Sequence, residues 1–408
     1  MTGQQTSSSR WFIQATLVLV LAVVYRIYLH DTIGLMVGIG RVVQPIEDFP
    51  WDCMRLRHPL LEGCEDIWLD HQDRKLYAAC TSLPSRQGWL PGGSHLNVSA
   101  RSRTDHISVL NIDHPGPDGL YGLHTLSVGD EYTDDLDLVG FDVRKVAGGL
   151  RFWLINHRPP VNPTTGEFLD AWAVGSNATI EVFDLTRGSS TLKYVKTIVS
   201  EALVAPNNLA VDDDGVGFMV TNEHGSKVGA LREINAVLGD GIVSYCRTDT
   251  GKCQIATNRR FAYPNGIVKA RNGLFYIAQS SKGIVSGHRL EEGRLVQIDE
   301  IPLGMPIDNL SFDAQGNLIV AGLPDIMRFR KSAKDPYTLS GPGAVLMVHQ
   351  LNTHPPEQRE GYKVSKMVED REGKRLPGTT VATHDVESHR LFLGGVFSPF
   401  LGICASRV

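Results

Sequence analysis

The stretch Pro306-Ile-Asp-Asn-Leu-Ser-Phe-Asp-Ala-Gln-Gly-Asn-Leu-Ile-Val-Ala321 carries the pattern that decides the fold of this chain. Apolar and polar residues alternate around Leu310, as in a β-strand, and residues 313–316 have the composition of a tight turn. Residues 318–321 are a second apolar run, which predicts a return strand. The pair Asp308-Asn309 precedes the first strand and offers a carboxylate and a carboxamide oxygen, the kind of ligand that calcium prefers.

The same unit occurs at three other places in the chain. Its copies, each with an oxygen-bearing residue, a strand, a polar turn and a second strand, are Gly63-Cys-Glu-Asp-Ile-Trp-Leu-Asp-His-Gln-Asp-Arg-Lys-Leu-Tyr-Ala78, Pro206-Asn-Asn-Leu-Ala-Val-Asp-Asp-Asp-Gly-Val-Gly-Phe-Met-Val220 and Pro264-Asn-Gly-Ile-Val-Lys-Ala-Arg-Asn-Gly-Leu-Phe-Tyr-Ile-Ala278. Further strand pairs fit at 137–157 with 178–185 and at 379–398, which gives about six units. The sequence therefore predicts an all-β fold, a six-bladed β-propeller.

Radial repetition places equivalent strand starts around one axis. The oxygen-bearing residues at these starts are Glu65, Asn207 or Asn208, Asn265 and the pair Asp308-Asn309. Carboxylate and amide oxygens that converge in this way form a plausible cage for calcium. We therefore expect a calcium site on the axis of the propeller.

Composition narrows the class of protein. The 408 residues carry a net charge of -5 without a long basic run, so we expect no nucleic-acid partner. The 41 Gly and 21 Pro residues separate many short apolar runs, which favours strands over long helices. No Gly-x-Ser-x-Gly motif is present, so the sequence does not support serine-triad chemistry.

The N-terminal segment has a separate character. Residues 11–25 are nearly all apolar and Arg26 ends the run, which fits an uncleaved signal-anchor helix, with a cleaved signal peptide or a buried helix as alternatives. We expect residues 1–46 to form this apolar region and residues 47–408 to form the propeller. Entry into the secretory pathway, with a membrane-anchored or extracellular protein, is the corresponding expectation.

Cysteines and sequons agree with that compartment. Cys246 and Cys253 flank a segment with the composition of a hairpin turn and are predicted to form a disulfide. A bridge from Cys404 to Cys53 would join the first and last blades, and Cys64 is the alternative partner. The sequons at Asn97 and Asn177 are predicted glycosylation sites, whereas the sequon at Asn309 lies inside the proposed cage and is expected to be unmodified.

Several short motifs, taken in order, resemble the serum paraoxonase/arylesterase family. They are Gly63-Cys-Glu-Asp66, Leu154-Ile-Asn-His157, Asn207-Asn208 with Thr221-Asn222, Pro264-Asn-Gly266, Ile307-Asp-Asn-Leu-Ser311, Leu376-Pro-Gly-Thr-Thr-Val-Ala382 and Leu393-Gly-Gly-Val-Phe397. The resemblance covers roughly residues 47–408, and the loops match poorly, as in a divergent member. It implies a six-bladed propeller with calcium-dependent lactonase and arylesterase activity.

The resemblance also implies two calcium ions in the central tunnel. The ligands of a catalytic ion would be Glu65, Asn207, Asn265, Asp308 and Asn309. A structural ion would use Asp66, Asn208 and a backbone carbonyl near Phe141, and the register at Asn207-Asn208 is open by one residue. The family has Asn-Asp where this chain has Asn-Asn, so we expect weaker binding of the second ion.

A histidine pair assists water in the family, and only one member of the pair is present here. His157 matches the second histidine, whereas Val139 stands at the position of the first. Glu65, Asp308 or His157 is therefore the expected base, and a structural role is the alternative for His157. The expected substrate is a small lipophilic lactone or aryl ester, and the N-terminal segment is expected to contact a membrane.

Two alternatives to this function remain open. A sugar-lactonase or strictosidine-synthase-like propeller would keep the fold and change the substrate. A non-catalytic calcium-binding propeller would keep the ion for structure alone. Val139 and the Asn-Asn pair favour the second alternative.

Overall fold

The computed structural model of the protein describes residues 5–26, 30–349 and 361–407. Within these residues, six sheets of four or five strands, paired antiparallel except at one edge strand, surround a central axis. The innermost strands of neighbouring sheets contact one another around the whole ring. The predicted all-β, six-bladed propeller is therefore confirmed.

The strands of each blade are given from the axis outward. Blade 1 comprises Asp66–Asp70, Lys75–Cys80, His106–Asn111 and His124–Thr125. Blade 2 comprises Leu138–Val146, Gly149–Arg158, Asn177–Thr186, Thr191–Val199 and the parallel edge strand Ser127–Val128. Blade 3 comprises Pro206–Val211, Gly217–Asn222, Ile242–Arg247 and Cys253–Ile255.

The remaining blades follow the same order. Blade 4 comprises Pro264–Lys269, Phe275–Gln279, Ile284–Glu291 and Arg294–Pro302. Blade 5 comprises Ile307–Phe312, Leu318–Gly322, Gly343–Val348 and Val364–Asp370. Blade 6 comprises Val381–Asp385, Arg390–Gly394, Leu401–Ser406 and Trp51–Leu56. A separate hairpin pairs Trp89–Leu90 with His95–Leu96.

Helices are short except at the N-terminus. They are α1 (Gln5–Val24), α2 (His30–Val37), α3 (Leu83–Gly88), α4 (Ala171–Val174), α5 (Arg232–Leu238) and α6 (Ile326–Ser332). Among the described residues, no helix has both the length and the apolar character that a bilayer crossing requires. The membrane contact expected for the N-terminal segment and the domain boundary at residue 46 stay predictions.

Packing between blades explains the apolar second strand of every repeat. Phe275–Gln279 and Leu318–Gly322 are buried along their whole length, because blades cover both faces of these strands. Each interface between neighbouring blades holds a cluster of buried apolar side chains. The repeat pattern in the sequence therefore reflects six similar interfaces.

Blade 6 closes the ring by combining the two ends of the propeller. Trp51–Leu56 pairs antiparallel with Leu401–Ser406, and this register places Cys53 opposite Cys404. The disulfides Cys53–Cys404 and Cys246–Cys253 are both present, as predicted. Arg74 of blade 1 also donates to both oxygens of Asp385 in blade 6, at 2.7 and 2.6 Å.

Cys64, proposed above as an alternative partner in the closure, instead forms a disulfide with Cys80. Three disulfides indicate a protein of the secretory pathway or the extracellular space. The sequon residues Asn97 and Asn177 are exposed, and their glycosylation stays a prediction. Asn309 is fully buried, so its sequon is inaccessible in the folded chain.

Candidate active site

Bulges lie where the predicted ligands enter the innermost strands. The pairing with the second strand shifts register between Pro206 and Asn208, and a similar shift occurs in blades 4 and 5. In blade 5 the shift falls between Ile307 and Leu310, so it spans Asp308-Asn309. A bulge leaves extra residues unpaired and re-aims their side chains. The irregular pairing therefore allows the side chains at these bulges to point toward the central axis.

Two glycines let neighbouring innermost strands approach closely at this level. A Cβ on Gly140 would lie 2.3 Å from the Asn207 carbonyl oxygen, and one on Gly266 would lie 2.5 Å from the Asn309 Cα. Separations of this size are far below van der Waals contact, so larger residues would push the strands apart. Gly140 and Gly266 thus keep the ligand-bearing strands near the axis.

Four predicted ligands form what we call the cavity ring: Glu65, Asn207, Asn265 and Asp308, from blades 1, 3, 4 and 5. Each side chain is at most 8% exposed, and all four line one cavity of about 1110 Å³. One oxygen of each, namely Glu65 Oε2, Asn207 Oδ1, Asn265 Oδ1 and Asp308 Oδ1, is buried without a hydrogen-bond partner. Buried polar atoms are normally paired. Four unpaired oxygens around one cavity therefore form a ligand set that fits a hard cation.

The chemistry of the cavity ring fits calcium. Two carboxylates and two carboxamides supply only oxygen ligands, which hard divalent cations prefer. Among the described residues, no group of three His, Cys, Asp or Glu side chains could hold a metal. The amides Asn207 and Asn265 are thus essential to the ring, as in oxygen cages that mix charged and neutral ligands.

Directly beside the ring lies a second group, the axial cluster, formed by Asp66, Asn208 and Asn309. The Asn208 Nδ2 donates to Asp66 Oδ2 at 3.2 Å and to Asn309 Oδ1 at 2.8 Å. The Asn309 Nδ2 donates in turn to Glu65 Oε1 at 2.9 Å. These bonds join blades 1, 3 and 5 across the axis and orient Glu65 within the ring.

The axial cluster does not fit a second ion as the cavity ring fits the first. Both Asp66 oxygens accept backbone N–H groups, from Ile67 at 2.9 Å and Phe141 at 3.0 Å. Phe141 presents its N–H, rather than a carbonyl, to the carboxylate. Asn208 Oδ1 accepts the Leu209 N–H at 2.7 Å. Asp66 and Asn208 are thus brought together as predicted, but as hydrogen-bond partners of each other.

Glu223 is a cavity residue that the sequence analysis did not identify. Its Oε1 accepts from Asn207 Nδ2 at 2.7 Å, and its Oε2 is buried without a partner. Gly92 faces this carboxylate, since a Cβ there would lie 2.0 Å from Oε2. Glu223 directly follows the second strand of blade 3, and its position at that strand end was the only available signal.

His157 lines the same cavity, but both of its ring nitrogens are engaged. Its Nε2 donates to the Pro206 carbonyl at 2.8 Å, and its Nδ1 pairs with the Ser176 hydroxyl at 3.2 Å. Burial lowers the pKa of His157 to about 4. Val139, at the position of the first histidine that the resemblance implies, is buried in the cavity wall. His157 is therefore a neutral imidazole that braces the strand before Asn207.

Carboxylates crowd the cavity and raise one another's pKa. Burial raises the pKa of Glu65 well above its usual range, and the Asp66 and Asp308 carboxylates add to the shift. Burial and the Glu223 carboxylate act in the same way on Asp308. Burial raises the pKa of Glu223 to about 7, against the favourable charge of Arg232. Such mutual repulsion is relieved when a cation binds.

The walls of the cavity beyond the ring are mostly apolar. Leu90 and Phe397 line one part of the wall, and Phe329 of α6 lies beside Phe397 with 6.3 Å between ring centroids. Met36 of α2 adds a further apolar contact. Arg232 of α5 binds the turn of the hairpin between Trp89–Leu90 and His95–Leu96, because it donates to the Pro91 carbonyl at 3.1 Å. The cavity thus combines an oxygen-lined floor with apolar walls.

Comparisons with known proteins find a curated relative and solved structures that are similar to this chain. A curated relative, serum paraoxonase/arylesterase 1 of Mus musculus, is 28% identical over 227 residues, which are 54% of this chain and 59% of that protein. The chain thus matches less than two thirds of that relative's length. The solved structure of a luciferin-regenerating enzyme has a TM-score of 0.48 at 12% identity and covers 87% of this chain and 96% of that one.

Two lactonase structures are similar to the same degree. A putative gluconolactonase has a TM-score of 0.48 at 12% identity and covers 90% of this chain and 97% of its own. A gluconolactonase from Xanthomonas campestris has a TM-score of 0.46 at 14% identity and covers 90% and 98%.

The family model described as Arylesterase matches residues 173–403. This span contains Asn207, Glu223, Asn265 and Asp308, whereas Glu65 precedes it. The match extends over more than half of the 408 residues and confirms the family inferred from the short motifs. The protein belongs to the arylesterase family.

Proposed function

We propose that the protein is a calcium-dependent hydrolase of lactones and aryl esters. The observation that carries this proposal is the cavity ring, in which four blades each direct one unpartnered buried oxygen at the same cavity. Membership of the arylesterase family gives the reaction class. The name of the mouse relative, a paraoxonase/arylesterase, agrees with it.

The ring residues Glu65, Asn207, Asn265 and Asp308 would hold the ion, whereas the Asn309 side-chain oxygen accepts from Asn208 Nδ2 at 2.8 Å. When bound, calcium supplies electrostatic stabilisation of a carbonyl oxygen that gains negative charge during hydrolysis. The side-chain amides keep the ring from neutralising the ion fully. Asn309 holds the Glu65 carboxylate in place through its 2.9 Å hydrogen bond to Oε1.

Hydrolysis also requires a side chain that accepts a proton from the attacking water. Glu223 meets it by geometry, because its Oε2 is unpartnered and lines the cavity beside Asn207. His157 has no free ring nitrogen in this arrangement. We therefore assign the base to Glu223 and a bracing role to His157, and this assignment replaces the histidine chemistry implied by the resemblance.

Substrate class follows from the cavity walls. Leu90, Phe329 and Phe397 offer apolar and aromatic surface that suits an acyl chain or an aryl ring. A sugar lactone exposes several hydroxyl groups, which would have to find partners among the smaller polar part of the wall, such as Gln87, His95 and Lys331. Lipophilic lactones and aryl esters are therefore the proposed substrates, and sugar lactones are the alternative.

The test is hydrolysis by the purified full chain before and after removal of calcium. We expect turnover of an aliphatic lactone and of phenyl acetate, loss of both after treatment with EDTA, and recovery when calcium is added back. Undiminished activity in EDTA would contradict the proposal. Turnover of gluconolactone alone would favour the sugar-lactonase alternative, and calcium binding without any turnover would favour a non-catalytic propeller.

A further inference from the structure

The carboxamide of Asn208 occupies the axis at the level where a second ion is expected. Its orientation is fixed by the backbone, since Oδ1 accepts the Leu209 N–H at 2.7 Å. A flipped amide would place its NH2 group against that N–H donor and lose the bond. Nδ2 must therefore point at Asp66 and Asn309, which accept from it at 3.2 and 2.8 Å.

The surroundings of this amide supply a donor to each side-chain oxygen that a second ion would use, those of Asp66 and Asn208. Asp66 Oδ1 accepts from Ile67 N–H, and Oδ2 accepts from Phe141 N–H and from Asn208. A cation at this place would face N–H groups, whose partial positive charges repel it. The cavity ring is the reverse case, because each of its residues keeps an unpaired oxygen.

The two levels also open on different sides of the tunnel. Glu65 and Asn207 line the cavity of about 1110 Å³, whereas Asp66 and Asn208 line a smaller cavity of about 230 Å³ at the other side. The axial cluster separates the two. Adjacent residues at the start of an innermost strand thus line different cavities.

We propose that the Asn208 carboxamide takes the place of the second calcium ion, so that the chain binds a single ion, in the cavity ring. The amide links the Asp66 carboxylate to the Asn309 side chain, which orients Glu65. The axial cluster is then held together by hydrogen bonds and needs no metal. This inference rests on the proposed calcium site in the ring.

Calcium stoichiometry tests the inference directly. The full chain is stripped of metal with a chelator and dialysed against calcium up to concentrations well above the roughly millimolar range of weak protein sites. Bound calcium is then measured by atomic absorption. We expect one ion per chain. Two ions in the wild type overturn the inference and leave the ring intact, whereas no bound ion overturns the proposed calcium site and the inference with it.

Variants of Asn208 locate the effect. Asn208→Asp replaces the donor with a second carboxylate beside Asp66, and we expect it to raise the stoichiometry from one to two ions. Asn208→Ala removes the amide without adding charge and should still bind one ion. A folded Asn208→Asp protein that binds only one ion contradicts the inference, as does an Asn208→Ala protein that binds two.

A ring variant shows where the single ion lies, and it stays informative if Asn208→Asp does not fold. Asn265→Ala removes one ring oxygen and leaves the axial cluster unchanged, so we expect it to lower the calcium affinity by at least 10-fold. Unchanged calcium binding by Asn265→Ala would place the ion outside the ring and overturn the inference. Circular dichroism of each variant establishes that the protein is folded.

Discussion

The cavity ring and the axial cluster are built from neighbours in the sequence, yet their oxygens have opposite surroundings. Glu65 and Asp66 are adjacent, as are Asn207 and Asn208. Glu65 and Asn207 each keep a buried oxygen without a partner, whereas the oxygens of Asp66 and Asn208 accept backbone N–H groups. Residue type alone therefore does not distinguish a metal ligand from a structural polar group.

The difference lies in what the backbone offers on each side of the innermost strands. On one side, the strand starts of four blades meet an open cavity, and one side-chain oxygen from each finds no donor. On the other side, amide groups of Ile67, Phe141 and Leu209 point at the side chains. An oxygen that is fully hydrogen-bonded has little to gain from a cation, and a buried oxygen without donors has much to gain.

The largest expected effect comes from removing a ring carboxylate. Asp308→Ala should lower calcium affinity by more than the roughly 10–100-fold typical of changes outside the ligand shell and should abolish hydrolysis. Calorimetric titration with calcium and a phenyl acetate assay measure the two effects. Glu300→Gln, which changes an exposed carboxylate of blade 4, is the control and should behave as wild type. Retained affinity in Asp308→Ala would remove the distinction between ring and cluster.

The next effect separates chemistry from ion binding within the same cavity. Glu223→Gln keeps a hydrogen-bonding group beside Asn207 but cannot accept a proton, so kcat should fall by about 10²–10⁴-fold. Calcium affinity should change less than in Asp308→Ala. Glu369→Gln is the matched control, because Glu369 is also fully buried with an unpaired Oε1 but does not line the cavity. Normal kcat in Glu223→Gln would contradict the assignment of the base.

A third substitution acts on the axial cluster. Asp66→Ala leaves the N–H groups of Ile67 and Phe141 and the Asn208 amide without their acceptor. The free energy of unfolding should fall by about 3 kcal/mol or more, since each buried donor left unsatisfied costs roughly 1–3 kcal/mol. Urea unfolding measures this loss. Calcium affinity should fall much less than in Asp308→Ala, and an equal fall would show that Asp66 holds an ion.

The smallest expected effect concerns His157 beside the cavity ring, whose contribution to the free energy of unfolding depends on pH. Burial lowers the pKa of His157 to about 4, below its ordinary value of 6.5. The folded state therefore binds fewer protons than the unfolded state between these values, and the protein loses stability as the pH falls from about 6.5 to about 4. A shift of this size corresponds to about 3 kcal/mol over the whole range. His157→Gln should remove this contribution.

His288 supplies the comparison for that experiment. Burial also lowers its pKa to about 4, but it lies in blade 4 and does not line the cavity. Urea unfolding at pH 7 and pH 5 should show a reduced pH dependence for both His157→Gln and His288→Gln. Hydrolysis should decrease only for His157→Gln. A pH dependence that is unchanged in both variants would contradict the neutral, buried state of these imidazoles.

Much of the architecture could be predicted from the sequence. The repeat at 206, 264 and 306 gave the blades, because each blade must bury the same kind of apolar strand. Cys53 and Cys404 were predicted to close the ring, since a propeller has to join its two ends. The bridge from Cys64 to Cys80 was missed because spacing did not show that the two cysteines flank one strand pair of blade 1.

The sequence predicted which residues form the cavity ring, but not the contacts that give each residue of the site its role. Glu65, Asn207, Asn265 and Asp308 were identified because they recur at equivalent places in the repeat. Glu223 was missed because it follows the second strand of blade 3, whereas the predicted ligands precede or begin the first strand of each repeat. Only the folded chain shows that Glu223 lines the cavity. His157 was predicted as a possible base, and only the structure shows the Pro206 carbonyl and Ser176 hydroxyl that engage its ring.

The sequence by itself determined which residues carry oxygen at the start of each blade, because repetition of a strand pattern is a local property of the chain. Tertiary structure alone decided which of those oxygens remain free. That outcome depends on the backbone N–H groups that the folded chain directs at Asp66 and Asn208, from the adjacent Ile67 and Leu209 and from Phe141 of another blade. Hydrogen-bond partners from distant segments leave no periodic trace in a sequence, so the separation of ring from cluster could be read only from the folded chain.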